Sequence, residues 1–319
     1  MQSNSFQEKY NSLPPGHRLR INIPIARLPS HTLLDIPVFV YKGKKTGHRL
    51  LLTAGIHGDE INGIVVLRRL ISEKYLMPDV GTVIAIPLVN IYGFLQNSRN
   101  LPDGKDLNRC FPGSQTGSIA SQIAYIISKT ILPNIDFGVD FHTGGNKISN
   151  YPQIRCVLSD SKNLELANYF APPFIMESDL IDKSFRKEAA KKNKSILVYE
   201  GGESLRLDEL SVQEGIRGIK RLMHHLGMKT SQEIDLSRQS IILQKTSWLR
   251  AKTAGIFDCR VLTGDFVKKN QILAHITDPY GSQKIAVKSH KEGFVVGVNN
   301  MPVVNAGDAL LHIGTIEKV

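Results

Sequence analysis

The pattern of apolar and polar positions predicts strands that alternate with helices over most of the chain. Residues 18–25 and 34–41 alternate as half-buried strands do, whereas residues 50–54 and 81–88 are continuous apolar runs, typical of buried strands. Between the last two, apolar residues recur at helical spacing over residues 61–75. This strand, helix and strand predict a right-handed βαβ unit.

The same pattern continues further along the chain, with two gaps. It predicts strands near residues 135–141, 153–158 and 195–199, and helices near residues 118–132, 162–170, 182–192 and 208–226. Residues 1–16 are interpreted as a loose lead-in. Residues 89–117 have no periodicity, and so long a loop within a compact domain is usually functional or disordered.

From about residue 247 the chain changes character. Short apolar segments are separated by turns, which predicts a small all-β unit, and residues 264–276 weakly repeat in residues 307–313. We therefore expect an α/β domain over residues 1–245 and an all-β domain over residues 246–319.

Composition and charge limit the classes of protein to which this chain can belong. The 319 residues carry a net charge of +11, and no apolar stretch reaches the length of a membrane span. The N-terminal residues lack the apolar core of a secretory signal. The three cysteines form no C-x-x-C pair, which argues against a disulfide framework and against a cysteine zinc site. These features predict a cytoplasmic protein.

Much of the positive charge is concentrated in residues 183–194. The segment suggests either nucleic-acid binding or a solvated helical face. We favour the solvated face, because no aromatic residues or nucleic-acid motif accompany the charges, and we expect neither a nucleic-acid nor a membrane partner. An excess of cations would also attract small anionic substrates.

Polar side chains follow two of the predicted strands. His57 and Glu60 lie in the loop after residues 50–54, and His142 follows residues 135–141. Ligands of open α/β sheets bind outside the carboxyl ends of the strands, where two imidazoles and a carboxylate could bind zinc and leave one position open. Each signal alone is weak, since a capping glutamate, a solvated histidine and a structural histidine are common alternatives. Asp140, two residues before His142, would point the same way and could orient a ligand.

Further candidates lie elsewhere in the chain. Glu200 directly ends the strand at residues 195–199, where a general base would sit, and is preferred to Glu203, which follows two glycines. A capping or surface role for Glu200 is the alternative. Arg99 and Arg109 lie beside amide side chains in the long loop, a context that suits recognition of a carboxylate, although both could be surface charges.

Taken together, four segments resemble the succinylglutamate desuccinylase/aspartoacylase family, a branch of the zinc carboxypeptidase-like hydrolases. They are GIHGDE (55–60), DLNR (106–109), DFHTG (140–144) and YEGG (199–202), in the family's order. The resemblance implies a zinc-carboxypeptidase-like mixed sheet flanked by helices, with a C-terminal barrel-sandwich domain of the biotinyl/lipoyl type. Because the hairpin at residues 277–281 lacks the lysine that carriers modify, we expect a structural or oligomerising role for that domain.

The resemblance also implies roles for individual residues. His57, Glu60 and His142 would bind one Zn²⁺ per chain, Glu200 would be the general base, Arg99 would polarise the scissile carbonyl, and Asn108 and Arg109 would bind the substrate carboxylate. The implied reaction is hydrolysis of the amide bond of a small, anionic N-acyl amino acid. A zinc carboxypeptidase or cell-wall-peptide amidase, and a metal-binding interaction protein, are the alternatives; the presence of Glu200 argues against the last. The sequence is compatible with a homo-oligomer.

Overall fold

A computed structural model describes residues 2–27, 30–145, 147–230 and 234–316. Its helices are α1 (Gln2–Ser12), α2 (Asn62–Ser72), α3 (Ile91–Leu95), α4 (Ile119–Ile126), α5 (Ser161–Phe170), α6 (Phe185–Lys191) and α7 (Glu209–His225). Its strands are β1 (Arg18–Arg27), β2 (Leu33–Lys42), β3 (Lys45–Ala54), β4 (Val80–Ile86), β5 (Phe137–Gly144), β6 (Ile148–Cys156), β7 (Phe174–Glu177), β8 (Ser195–Glu203), β9 (Ile241–Leu243), β10 (Lys245–Arg250), β11 (Gly255–Cys259), β12 (Phe266–Val267), β13 (Ile272–Thr277), β14 (Lys284–Lys288), β15 (Gly293–Asn299), β16 (Val303–Val304) and β17 (Ala309–Thr315). Within these ranges we find no helix whose length and apolar character would let it cross a membrane.

A large mixed sheet forms the centre of the molecule, with strand order β1-β2-β4-β3-β5-β8-β6-β15-β17-β10. Strands β4, β3, β5 and β8 are parallel neighbours, so their carboxyl ends meet at one edge. Helix α2 connects the parallel strands β3 and β4, as expected for a βαβ unit. The expected mixed α/β fold is therefore confirmed.

The apolar run in β3 is explained by burial on both faces of the sheet. Leu51 faces one core cluster, with the apolar residues of α1 and α4, whereas Leu50 and Leu52 face another, with those of α2 and α7. All three side chains are fully buried. Each contributes roughly 1.5–3 kcal/mol to the free energy of folding. This packing holds the end of β3, and the loop that follows it, in a fixed position.

The N-terminal segment differs from the prediction of a loose lead-in. Residues Gln2–Ser12 form α1, and Phe6, Tyr10 and Leu13 are buried against the first core cluster. Their spacing of four and three residues is helical, but too few apolar residues occur here for the pattern to stand out. Strands β7 and β9 were also missed, since strands of three or four residues show no period.

The C-terminal strands form two connected layers. Strands β14-β13-β11-β16 make a separate antiparallel sheet, whereas β15, β17 and β10 extend the main sheet, because β15 pairs with β6. The expectation of a β-rich C-terminal region is thus confirmed. The division at residues 245 and 246 stays a prediction, since the main sheet includes strands from both sides of it.

Candidate active site

The loop after β3 is held tightly against its neighbours. Gly55 has a positive φ of 64°, a conformation that favours glycine. A Cβ atom on Gly58 would lie 2.0 Å from the carbonyl carbon of Gly93 in α3, so the loop can approach α3 only because this residue is glycine. His57 and Glu60, which lie in this loop, are therefore buried, with 3% and 2% of their surfaces exposed.

The structure brings His57, Glu60 and His142 together. Nδ1 of His57 lies 2.8 Å from Oε1 of Glu60, and Nδ1 of His142 lies 2.8 Å from Oε2 of the same carboxylate. The two Nδ1 atoms are 3.2 Å apart. Donors in a tetrahedral site with bonds of 2.0–2.1 Å are about 3.3 Å from one another, so these side chains need to separate by only about 0.5 Å to share a zinc-sized ion. This group of side chains could hold a metal ion.

Each imidazole is oriented by a carboxylate at its other nitrogen. Nε2 of His57 lies 3.2 Å from Oδ1 of Asp106, and Nε2 of His142 lies 2.8 Å from Oδ2 of Asp140. Thr53 donates a hydrogen bond of 2.7 Å to the remaining oxygen of Asp140. A carboxylate that accepts the Nε2 proton leaves the Nδ1 lone pair free for a metal. The sequence predicted this position for Asp140, but not for Asp106.

The charges of the site favour a cation between the two imidazoles. Burial opposes a charge on each histidine, but Glu60 and Asp106 outweigh it and raise the pKa of His57, as Asp140 and Glu60 raise that of His142. Burial also opposes ionisation of Glu60, yet the two histidines lower the pKa of this carboxyl. Protons compete with a metal for the imidazole nitrogens, so metal affinity should fall as the pH is lowered.

We expect Asp106→Asn to weaken zinc binding by about 10- to 100-fold, because the amide no longer holds the Nε2 proton of His57 as a carboxylate does. The substitution preserves the shape of the side chain. Competition with a chromophoric chelator would measure the affinity. Asp103→Asn is the matched control, since Asp103 lies in the same loop but accepts the backbone N–H groups of Lys105 and Ala120. Equal zinc affinity in the Asp106→Asn variant and the wild type would contradict the assignment.

Glu200 lies beside His142 on the neighbouring strand. The two residues are register partners in β8 and β5, so their side chains project from the same face of the sheet. The Glu200 carboxylate accepts a hydrogen bond of 2.6 Å from Nδ2 of Asn150 and lies 2.9 Å from Nη2 of Arg155. Glu203, the alternative, is instead bound by Asn300.

The loop between β4 and α4 supplies the remaining predicted residues. Nη1 of Arg99 lies 3.1 Å from Oε1 of Glu60, and Nη2 lies 3.0 Å from Asp106. Asn108 accepts the N–H of Phe185 through its side-chain oxygen at 2.9 Å, so this amide is held in place. Arg109 donates to the backbone oxygen of Asn108 at 2.7 Å, and no carboxylate of the described residues pairs with it.

All the predicted site residues line one cavity of about 260 Å³, together with residues that the sequence analysis missed. The predicted residues are His57, Glu60, Arg99, Asn108, Arg109, His142 and Glu200, and the missed ones include Asn150, Arg155, Arg186 and Trp248. Arg186 was assigned to a solvated basic face, but it is buried and donates to the backbone oxygen of Arg155 and to Ser178. Because Arg186 lies among lysines in the sequence, the sequence did not indicate that its side chain is buried.

The chain is similar to known proteins over most of its length. Residues 46–226, more than half of the chain, match the family model of the succinylglutamate desuccinylase/aspartoacylase catalytic domain. The N-alpha-acetyl-L-2,4-diaminobutyric acid deacetylase of Halomonas elongata is 29% identical over 296 residues, which cover 88% of this chain and 86% of that protein.

Two solved structures share the fold over nearly their whole length. The product-bound ectoine utilization protein EutE (DoeB) from Ruegeria pomeroyi has a TM-score of 0.82 and 22% identity, covering 96% of this chain and 98% of that chain. A succinylglutamate desuccinylase/aspartoacylase from Rhodobacter sphaeroides has a TM-score of 0.81 and 25% identity, covering 95% of this chain and 96% of that chain. The chain belongs to the succinylglutamate desuccinylase/aspartoacylase family.

Proposed function

We propose that the protein is a zinc-dependent amidohydrolase that removes the acyl group from a small N-acyl amino acid. One observation supports this above all: the His57, Glu60 and His142 cluster shares a single cavity with Glu200 and Arg109. The guanidinium of Arg109 has no carboxylate partner among the described residues. The family and the deacetylase relative support the same class of reaction.

The proposed chemistry assigns a task to each side chain. His57, Glu60 and His142 would hold the ion, which when bound supplies Lewis-acid activation of water and of the scissile carbonyl. Glu200 would accept a proton from the attacking water and deliver it to the leaving amine. Arg99, beside Glu60, would stabilise the negative charge that develops on the carbonyl oxygen.

Substrate orientation would come from Asn108 and Arg109. The guanidinium of Arg109 and the Nδ2 of Asn108 make no contact with a carboxylate among the described residues, so both can donate to an anionic substrate. A guanidinium binds a carboxylate through two parallel hydrogen bonds, which fixes both position and orientation. Holding the substrate in this way would place its amide carbonyl beside the metal ligands.

The charges of the cavity also restrict the side chain of the substrate. Glu60 and Glu200 are the acidic residues among the described lining, and both are bound, Glu60 by the histidines and Glu200 by Asn150 and Arg155. The arginines of the lining, Arg99, Arg109, Arg155 and Arg186, outnumber these two carboxylates, so the cavity disfavours a cationic side chain. We therefore propose substrates with a neutral or acidic side chain, in contrast to the diaminobutyric acid derivative in the name of the Halomonas elongata relative.

The test is release of free amine from a panel of N-acetyl and N-succinyl amino acids by the zinc-loaded protein. Activity should require zinc and should favour neutral or acidic side chains. It should fall about 10- to 100-fold in kcat/KM when the α-carboxylate is replaced by a carboxamide, because the charge-assisted hydrogen bonds between the carboxylate and Arg109 are lost. Arg109→Ala should reduce the preference for the α-carboxylate over the carboxamide. Cleavage of peptides alone would favour the carboxypeptidase or peptide-amidase alternative, and a lack of zinc-dependent amine release would reject the proposal.

A further inference from the structure

A row of paired residues runs from the C-terminal strands to the proposed base. Trp248 in β10 pairs with His312 in β17, which pairs with Gly297 in β15, which pairs with Asn150 in β6. Directly paired residues on neighbouring strands project from the same face of a sheet. Both ends of the row, Trp248 and Asn150, line the cavity that contains the metal ligands.

The first half of the row is tightly packed. The rings of Trp248 and His312 are stacked, with centroids 4.6 Å apart and planes inclined by 7°. His312 is 7% exposed, and burial, with nearby Arg155 and Lys291, lowers its pKa to about 3. The imidazole is therefore neutral at physiological pH and acts as a flat packing surface. Trp248 lines the cavity, and His312 packs against the ring of Trp248.

The second half of the row depends on the absence of a side chain at Gly297. A Cβ atom at this residue would lie 2.7 Å from Oδ1 of Asn150, which is closer than real Cβ contacts, and 3.5 Å from Cβ of His312. The glycine thus leaves the space that the Asn150 amide occupies. From there Nδ2 of Asn150 donates to Oε2 of Glu200 at 2.6 Å.

Asn150 has few other positions available to it. It is 6% exposed, and it lies between Gly297 of β15 and Gly202 of β8 in the paired strands. Strand pairing therefore holds the backbone of Asn150 on both sides, and the pairing of β6 with β15 places Gly297 next to its amide. Any displacement of the amide changes the hydrogen bond to Glu200.

We propose that the C-terminal strands position the general base: the pairing of β15 with β6, through Gly297, holds the Asn150 amide against Glu200. Asn150 and Gly297 are positioning residues, since they act through Glu200. This inference rests on the proposed function, in which Glu200 transfers the proton. It gives the C-terminal region a role in turnover, beyond the structural or oligomerising role that its unmodified hairpin suggested.

The test uses the full chain loaded with zinc. We expect Gly297→Ala to lower kcat by about 10- to 100-fold, because a misplacement of about 1 Å in the base is enough to cause such a loss. KM and zinc content should stay close to those of the wild type, since neither Arg109 nor the metal ligands are touched. Asn150→Ala should have a similar effect. The double variant should be no slower than Asn150→Ala alone, because Gly297 acts through the Asn150 side chain.

Gly314→Ala is the matched control. Gly314 lies in β17 of the same sheet, and a Cβ atom there would lie 2.6 Å from Cδ1 of Leu243, a comparable clash away from the cavity. We expect this variant to lose stability but to keep the kcat of the wild type per zinc-loaded chain. An unchanged kcat in Gly297→Ala, an equal loss in Gly314→Ala, or additive losses in the double variant would overturn the inference.

These outcomes are separable from failure of the proposed function. If the wild type hydrolyses no N-acyl amino acid, that result rejects the proposed function without testing the positioning role. A crystal structure of Gly297→Ala then still tests the positioning role, since the distance from Asn150 Nδ2 to Glu200 Oε2 should exceed a hydrogen bond in the variant. Retention of the 2.6 Å contact in that structure would overturn the inference.

Discussion

Glu200→Gln should lower kcat for the best N-acyl amino acid by about 10²- to 10⁴-fold, the usual contribution of general acid–base catalysis. The substitution keeps the shape of the side chain, and its amide oxygen can still accept the hydrogen bond of Asn150. It cannot accept a proton from water at neutral pH, so the proton would have to pass to solvent. Zinc content and KM should change little, because Glu200 is outside the ligand cluster.

Initial rates under saturating substrate, together with metal analysis, measure this effect. Glu203→Gln is the matched control, because Glu203 lies on the same strand but binds Asn300 and Ser149 instead. We expect that variant to lose stability while keeping most of its turnover. If Glu200→Gln keeps zinc and retains the turnover of the wild type, Glu200 is not the base.

His57→Ala should abolish stoichiometric zinc binding. This loss is larger than the roughly 10- to 100-fold drop in metal affinity that is typical when a residue hydrogen-bonded to a ligand is changed. His57 supplies one of the converging ligand atoms, and its removal leaves Glu60 and His142 alone. Hydrolysis should be lost with the metal. Elemental analysis of the purified variant after dialysis gives the zinc content per chain, and wild-type zinc content in the variant would remove His57 from the ligand set.

Folding of the variant needs its own control. Removal of one partner of a buried ion pair destabilises a protein by about 3–5 kcal/mol, so circular dichroism should accompany the metal analysis. His57→Gln, which preserves more of the side-chain volume, serves where His57→Ala does not fold. His48→Ala is the matched histidine control. His48 lies exposed on β3, the strand that precedes the loop of His57, and its substitution should leave zinc binding intact.

The parts of the site that could be predicted are those that follow strand ends directly. Leu50, Leu51 and Leu52 are buried on both faces of the sheet, so their apolar run marked the strand that leads to His57 and Glu60. His142 and Glu200 lie near the carboxyl ends of β5 and β8, and the parallel pairing of these strands brings them side by side. Short-range pattern and sheet geometry thus predicted where these residues lie, whereas their roles were implied by the resemblance of the four segments to the family.

The missed residues depend on contacts between distant parts of the chain. Asp106 reaches His57 from a loop without periodicity, and Asn150 is aligned with Glu200 by the pairing of two strands. Arg186 lies in a run of lysines, where a buried and an exposed cation look alike in the sequence. Trp248 enters the cavity from the C-terminal strands, and nothing in its local pattern indicates this. Contacts between residues far apart in the sequence place each of these side chains in the site. The spacing of apolar residues does not reveal such contacts.

The pairing of β6 with β15 has a consequence for synthesis of the protein. A nascent chain generally folds from its N-terminus as it is made, and all the proposed metal ligands lie within residues 57–142. Residues 148–150 gain their partner on one side only when residues 297–299 have left the ribosome. A growing chain could thus gather its metal ligands early, whereas the strand pairing beside Asn150 forms only after β15 has been synthesised.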